Sequence, residues 1–209
     1  MEIRKLICNI FEENTYVMWD KRSREAAIVD PGMYRENERK ALDDFIAAEK
    51  LDVKMILLTH AHLDHTFGLD HTKEVYGAEI IGHVADAPLL RDRQAQAKMF
   101  HLPYRLEPLE LDRTVSDGEE LMLGDQKIEV MNVPGHSKGS VAYYVPESKF
   151  VLTGDVLFKM GMGRTDLPGG SMSELLHSIR TKLLTLPADT VVYSGHGAST
   201  TIGEEAVRF

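Results

Sequence analysis

Two rhythms of hydrophobic and polar positions run through this chain. Short β-rich stretches come first, at 3–10, 15–19 and 26–29, and the last stops at Asp30-Pro31-Gly32, a strong turn signal. Over 36–50 the near-helical spacing of Ala41, Phe45 and Ile46 predicts a helix. The compact apolar run 53–58 ends in Thr59 and reads as a buried strand. A helical stretch at 63–76 and another strand at 78–81 follow. Between 85 and 117 the pattern is hardest to read, and it predicts a helix around Ala95 and then a loop. The second half repeats the style of the first, with strands at 127–133, 140–145 and 150–153, a helix at 173–184 and a strand at 190–193. Strands outnumber helices, and the helices are spaced so as to cover sheet faces. The expectation is an α/β protein of layered sheets flanked by helices, in one domain over 1–209.

Composition narrows the partners. A hydrophobic fraction of 43% and a charged fraction of 27% belong to an ordinary globular protein with a sizeable core. The formal net charge is −9, and no run of Lys and Arg forms a basic patch, so nucleic acid is a poor substrate. No segment approaches the ~18 apolar residues that a membrane span needs. The first residues, MEIRKLICNIFEEN, do not read as a signal peptide. Cys8 is the single cysteine, flanked by Leu6, Ile7 and Ile10, and reads as a buried structural thiol in a reducing compartment. A cytoplasmic location and a small-molecule substrate are the expectation, with no membrane or nucleic-acid partner; the oligomeric state is left open.

The chemistry concentrates in Thr59-His60-Ala61-His62-Leu63-Asp64-His65, directly after the buried strand. Alternation puts His60 and His62 on one side of an extended loop, where both imidazoles can reach one cation. Asp64 and His65 fall where the chain turns into the helix and can face a second. Packed together without a cation, these groups would cost stability through desolvation and repulsion. Three later sites add ligand-capable side chains just past predicted strand ends: His136, Asp155 and His196, each preceded by glycine. Glycine lets the backbone turn tightly there, and strand ends give the rigid support that a metal site needs. His71, His83, His101 and His177 read as surface or packing residues, and Met160 and Met162 as packing residues.

These motifs resemble the metallo-β-lactamase superfamily, through the HxHxDH loop 60–65 followed by His136, Asp155 and His196. The phrases Pro134-Gly135-His136-Ser137-Lys138-Gly139-Ser140, Thr153-Gly154-Asp155-Val156-Leu157-Phe158 and Gly161-Met162-Gly163-Arg164-Thr165-Asp166 are similar to the glyoxalase II group, the hydroxyacylglutathione hydrolases and their short bacterial relatives. The resemblance covers nearly the whole chain and implies a four-layer αββα sandwich with the site at one edge between two sheets. It implies that His60, His62 and His136 bind a first metal, that Asp64, His65 and His196 bind a second, and that Asp155 bridges them. Two divalent ions per chain are implied, zinc first, with iron or manganese as alternatives. The superfamily's zinc β-lactamases often use a cysteine ligand, and Cys8 lies far from every motif, which counts against lactam hydrolysis.

On this reading a metal-held water attacks a thioester carbonyl, and Asp64 accepts the proton. A thiolate leaving group needs little protonation, which suits a site without an obvious general acid. Lys138 and Arg164 are the basic candidates for a substrate carboxylate, Arg164 more as a brace for the loop beside Asp155. The chain stops soon after His196, without the helical domain that supplies basic residues in glutathione-specific members. S-lactoylglutathione is therefore expected to be a weak substrate among other small thioesters. Gly163-Arg164-Thr165-Asp166 is also similar to persulfide dioxygenases, which use one iron, but the intact Gly195-His196 favours two metals. A non-enzymatic metal-binding or redox-partner domain is the third reading.

Overall fold

The period-two alternation of the strands sorts their side chains into separate cores. The computed structural model describes residues 1–209. Six strands form a first sheet in sequence order: β1 (Glu2–Cys8), β2 (Glu13–Trp19), β3 (Glu25–Val29), β4 (Asp52–Leu57), β5 (Glu79–His83) and β6 (Arg113–Val115). The first three run antiparallel, and β3 to β6 run parallel. The helices α1 (Glu36–Glu49) and α2 (Leu69–Tyr76) lie in the crossovers that parallel pairing demands. The short helices α3 (Ala87–Arg91) and α4 (Arg93–Met99) precede β6.

The second sheet is built from β7 (Glu120–Leu123), β8 (Gln126–Asn132), β9 (Val141–Val145) and β10 (Phe150–Gly154), an antiparallel meander. After the small ribbon β11 (Leu157–Phe158) and β12 (Gly161–Met162), helix α5 (Met172–Thr181) carries the chain over to β13 (Val191–Ser194), parallel to β10. The strand β14 (Thr200–Thr201) then closes the sheet, and α6 (Ile202–Ala206) follows it.

Residues on β2 show the sorting. Tyr16 and Met18 enter a core between the two sheets, where they meet Leu121, Ile128, Val130, Tyr143 and Leu152. Their neighbours Val17 and Trp19 point the other way, into a core under α1 that includes Leu42 and Ile46. A third core packs Leu175 and Ile179 of α5 and Ile202 of α6 against Ala142, Val151 and Val192 on the far face of the second sheet. Three cores between four layers make the αββα sandwich that the resemblance implied. Each large apolar side chain so buried contributes ~1.5–3 kcal/mol, enough in sum to hold polar residues at the sheet edge in costly positions.

Some predicted elements shift. The helix expected over 63–76 is a single 3-10 turn, Leu63–His65, followed by a break and then α2. The break exists because Gly68 N–H donates to the Pro31 carbonyl (2.7 Å), and a Cβ there would run into Met33. Around Ala95 the predicted helix is α4, and the short edge strands β6 and β7 went unread beside it. Cys8 is buried as expected, and burial together with nearby Glu13 pushes its thiol up to about 12. Met160, expected to pack, is 67% exposed on a left-handed residue (φ 64°). No helix is long and apolar enough to cross a membrane.

Candidate metal centre

Four loops at strand ends converge on one edge of the sandwich. β4 leads into His60, His62, Asp64 and His65; β8 leads into His136; β10 ends at Gly154, just before Asp155; β13 leads into His196. Glycine is required where these loops meet. Gly154 adopts φ 50°, and a Cβ on it would collide with Thr59 Oγ1; one on Gly195 would collide with Asp155 Oδ1. The glycines read from the sequence as close-approach positions thus make room for the site itself.

All seven residues singled out from the sequence come together here. His60, His62 and His136 form one group and Asp64, His65 and His196 another, with the ligand-capable atoms of each lying within 4.8 Å of one another. Asp155 stands between the groups. Its Oδ2 is 3.6 Å from His136 Nε2 and 3.6 Å from His196 Nε2, and its Oδ1 is 3.4 Å from His65 Nε2. Asp64 Oδ2 lies 3.2 Å from His196 Nε2.

Ring orientation is fixed from outside. His136 Nδ1 faces the Arg164 carbonyl (2.8 Å), His196 Nδ1 the Phe11 carbonyl (3.0 Å) and His65 Nδ1 the Asp30 carboxylate (3.0 Å). Each acceptor holds the proton on Nδ1 and turns Nε2 inward towards the cluster, as metal-ligating histidines require. His62 differs, presenting Nδ1 to His136 Nε2 at 2.8 Å. Inside the cluster His60 Nε2, His65 Nε2 and Asp155 Oδ1 are buried and have no hydrogen-bond partner. Buried polar atoms without partners are costly, and a divalent cation of borderline softness satisfies such a set of imidazoles and carboxylates. The residues fit a metal.

Electrostatics divide the site. Burial, then repulsion from neighbouring histidines, holds His60 well below its ordinary value and lowers His62 to about 4. His65 is also disfavoured by burial, but the carboxylates of Asp64 and Asp155 outweigh it and hold the imidazole well above its usual range. For Asp155 burial works upwards, and the attraction of His65 outweighs it to keep the carboxylate ionised.

Residues that sequence reasoning missed hold the loops in place. Asp30, read only as part of a turn, accepts from Thr59 N–H (2.7 Å), Thr59 Oγ1 (2.6 Å) and His65. Asp86 is buried and accepts from Ala61 N–H (3.0 Å), Ser137 Oγ (2.7 Å) and Gly139 N–H (2.7 Å), so one carboxylate ties the His60 loop to the His136 loop. Asn9 Nδ2 donates to the carbonyls of Gly32 and Asp64. Glu13 is fully buried beside His65, and burial pushes its carboxyl up. An isolated acid in an apolar run was the only available signal for Asp30 and Asp86; Glu13, in Phe11-Glu12-Glu13-Asn14, gave none.

The centre opens into a cavity of about 350 Å³, walled by Phe11, Leu63, Phe100, Phe158 and Leu167. Arg164 lines it too, although its guanidinium is exposed and forks onto Asp166 (2.6 and 2.7 Å). Its bracing of the loop is done by its backbone carbonyl on His136 rather than by its charge. Lys138 is exposed, lies beside Gly169 and does not line the cavity. His71 sits apart from the centre, paired with Asp43 at 2.9 Å.

Comparison with known proteins agrees with this geometry. A curated relative, the hydroxyacylglutathione hydrolase GloC of Haemophilus influenzae, is 39% identical over 98% of this chain and 95% of its own. The crystal structure of BLEG-1 B3 metallo-beta-lactamase superimposes with a TM-score of 0.90 at 34% identity, covering 99% of this chain and 97% of that one. TTHA1623, solved in a di-iron-bound form, gives a TM-score of 0.85 at 34% identity over 97% and 96% of the two chains. The family model of the metallo-beta-lactamase superfamily matches residues 9–196, a span that runs from Asn9 beneath the site to its last histidine, and the chain belongs to that superfamily.

Proposed function

We propose that this protein is a binuclear metal-dependent hydrolase of small thioesters. His60, His62 and His136 hold one ion, Asp64, His65 and His196 hold the other, and Asp155 serves both. The single observation that carries this is the position of Asp155, whose two oxygens reach towards histidines of both groups at 3.4–3.6 Å. Zinc, iron and manganese all suit the donor set, and the di-iron form of TTHA1623 is a precedent in a relative. Ions bound there lower the pKa of a water towards neutrality and polarise a carbonyl.

The chain's own residues do the rest. Apolar side chains of Phe11, Leu63, Phe100, Phe158 and Leu167 border the polar cluster on the cavity wall. Asp64, half-buried on the cavity wall, would take the proton from the attacking water. In hydrolysis the water oxygen bonds to the carbonyl carbon, the C–S bond breaks, and one proton leaves on the thiol. Among the cavity residues there is no obvious general acid for a poor leaving group, and a thiolate needs none. The relative named as a hydroxyacylglutathione hydrolase points to S-lactoylglutathione or a related thioester. Arg164 and Lys138 are both exposed, so a contact from either to a substrate carboxylate is worth ~1 kcal/mol or less.

The test is an assay of S-lactoylglutathione and an uncharged acetyl thioester, before and after chelation and after separate reloading with zinc, iron and manganese. Hydrolysis should vanish on chelation and return with metal. Failure of every loaded form on both thioesters, alongside oxygen uptake on glutathione persulfide, would replace the hydrolase with a dioxygenase.

A further inference from the structure

A second cavity, of about 310 Å³, lies beside the first and shares His62, Phe100 and Leu167 with it. It runs along the face of α3 and α4, walled by Pro88, Leu89, Ala95, Met99 and Pro168 in addition to the shared residues. Met99 is 47% exposed there, a large apolar side chain left facing open space at the mouth of a polar site. No lysine or arginine lines this groove, and its one formal charge is the exposed carboxylate of Asp92. Arg164 is the only lysine or arginine that lines the first cavity.

That distribution sorts the two arms of a thioester. The thiol arm of a natural thioester is polar and often anionic, and Asp92 repels it from the groove. The acyl arm can be plain hydrocarbon, and burying hydrocarbon against Leu89, Met99, Phe100 and Leu167 is favourable in proportion to its area. We propose that this groove is the acyl-chain subsite, and that the preferred substrates are thioesters of unbranched hydrocarbon acids several carbons long. The proposal rests on the thioesterase reading above and adds the identity of the acyl group. Remote apolar contacts of this kind orient the carbonyl for attack, so they raise kcat as well as lower KM. Ala95, exposed on α4, is the position where a larger side chain would fill the groove.

The experiment compares acetyl, butyryl and hexanoyl thioesters of N-acetylcysteamine, a neutral thiol, on the metal-loaded protein. In the wild type kcat/KM should rise about two- to fourfold per added methylene. In Ala95→Trp, and in Met99→Asp as a second variant, the hexanoyl-to-acetyl ratio should fall by about tenfold or more. A binding arm separates this proposal from the thioesterase reading. The non-hydrolysable thioethers S-ethyl- and S-hexyl-N-acetylcysteamine are titrated into each protein, and S-hexyl should bind more tightly to the wild type only. If no thioester is hydrolysed but that preference holds, the groove stands and the hydrolase reading falls. A flat chain-length series together with equal binding of the two thioethers, or a preference that survives both substitutions, overturns the groove.

Discussion

The two halves of the centre are made from different material. His60, His62 and His136 are all imidazole and all buried, and burial holds His60 and His62 neutral. Asp64, His65 and His196 mix carboxylate with imidazole, and Asp64 and His196 stand half-open to the cavity. There His65 is held in its charged form by Asp64 and Asp155, against burial. In the first group His60 and His62 are therefore already neutral before any cation arrives. The second is an ion-paired cluster in which a cation must replace a proton. The carboxylates of Asp64 and Asp155, acting against burial, separate the charge-exchanging group from the all-imidazole one.

The largest expected effect comes from the residue that joins the halves. Asp155→Ala removes the carboxylate between both groups and leaves His65 with fewer partners. Activity should fall by on the order of a thousandfold or more, as the loss of several kcal/mol of metal-derived stabilisation dictates. Metal content should drop with it. His71→Ala, which breaks a pair with Asp43 remote from the centre, should change neither and should cost ~1 kcal/mol or less of stability. Matching losses in the two variants, by assay and elemental analysis, would show that the ligand groups are misassigned.

A smaller and one-sided effect should follow Asp86→Ala. Asp86 bonds beside members of the all-histidine group, at Ala61 between His60 and His62 and at Ser137 and Gly139 next to His136. Its removal should weaken metal binding or activity by about 10–100-fold, as supporting residues around metal ligands commonly do. Competition with a chelator of known affinity should show one of two binding events weakened and the other unchanged. Equal weakening of both would erase the distinction between the halves.

Protons sharpen the comparison further. His65, raised well above its ordinary value, is protonated at neutral pH without metal, whereas His60 and His62, lowered, are not. Because His65 and His196 are both raised while His60 and His62 are lowered, filling the mixed group should release more protons per chain than filling the all-histidine group. The sign for stability follows: in the metal-free protein His62 costs stability as pH falls from its unfolded value towards about 4. His65 works in the opposite sense, stabilising below its unfolded value and losing that contribution as pH rises through its raised folded one. Calorimetric titration at pH 7 in buffers of different ionisation enthalpy measures the release directly. Two binding events that release equal numbers of protons would contradict the electrostatic division.

Much of this candidate centre was legible because the residue types that can hold a metal are displayed by the sequence itself. His60, His62, Asp64 and His65 sit within six positions after an apolar run, and glycine marks each later loop. The supporting acids were not legible, because their role depends on chain crossings far apart in sequence. Asp86 lies 51 positions from Ser137, and nothing local to it signals that both loops close on its carboxylate. The same limit explains the helix over 63–76: its periodicity is sound, but Pro31 reaches across and breaks it at Gly68. The short strands β6 and β7 have too few residues to show a period, and pairing with long neighbours defines them. Arg164 lines the cavity, and only the fold reveals that its carbonyl, not its charge, engages His136.

The account stands most directly on metal stoichiometry. Elemental analysis of the purified, fully loaded protein, set against protein quantitation by amino-acid analysis, should give about two ions per chain, one for each half of the centre. A reproducible value near one, unchanged by excess zinc, iron or manganese, would contradict it.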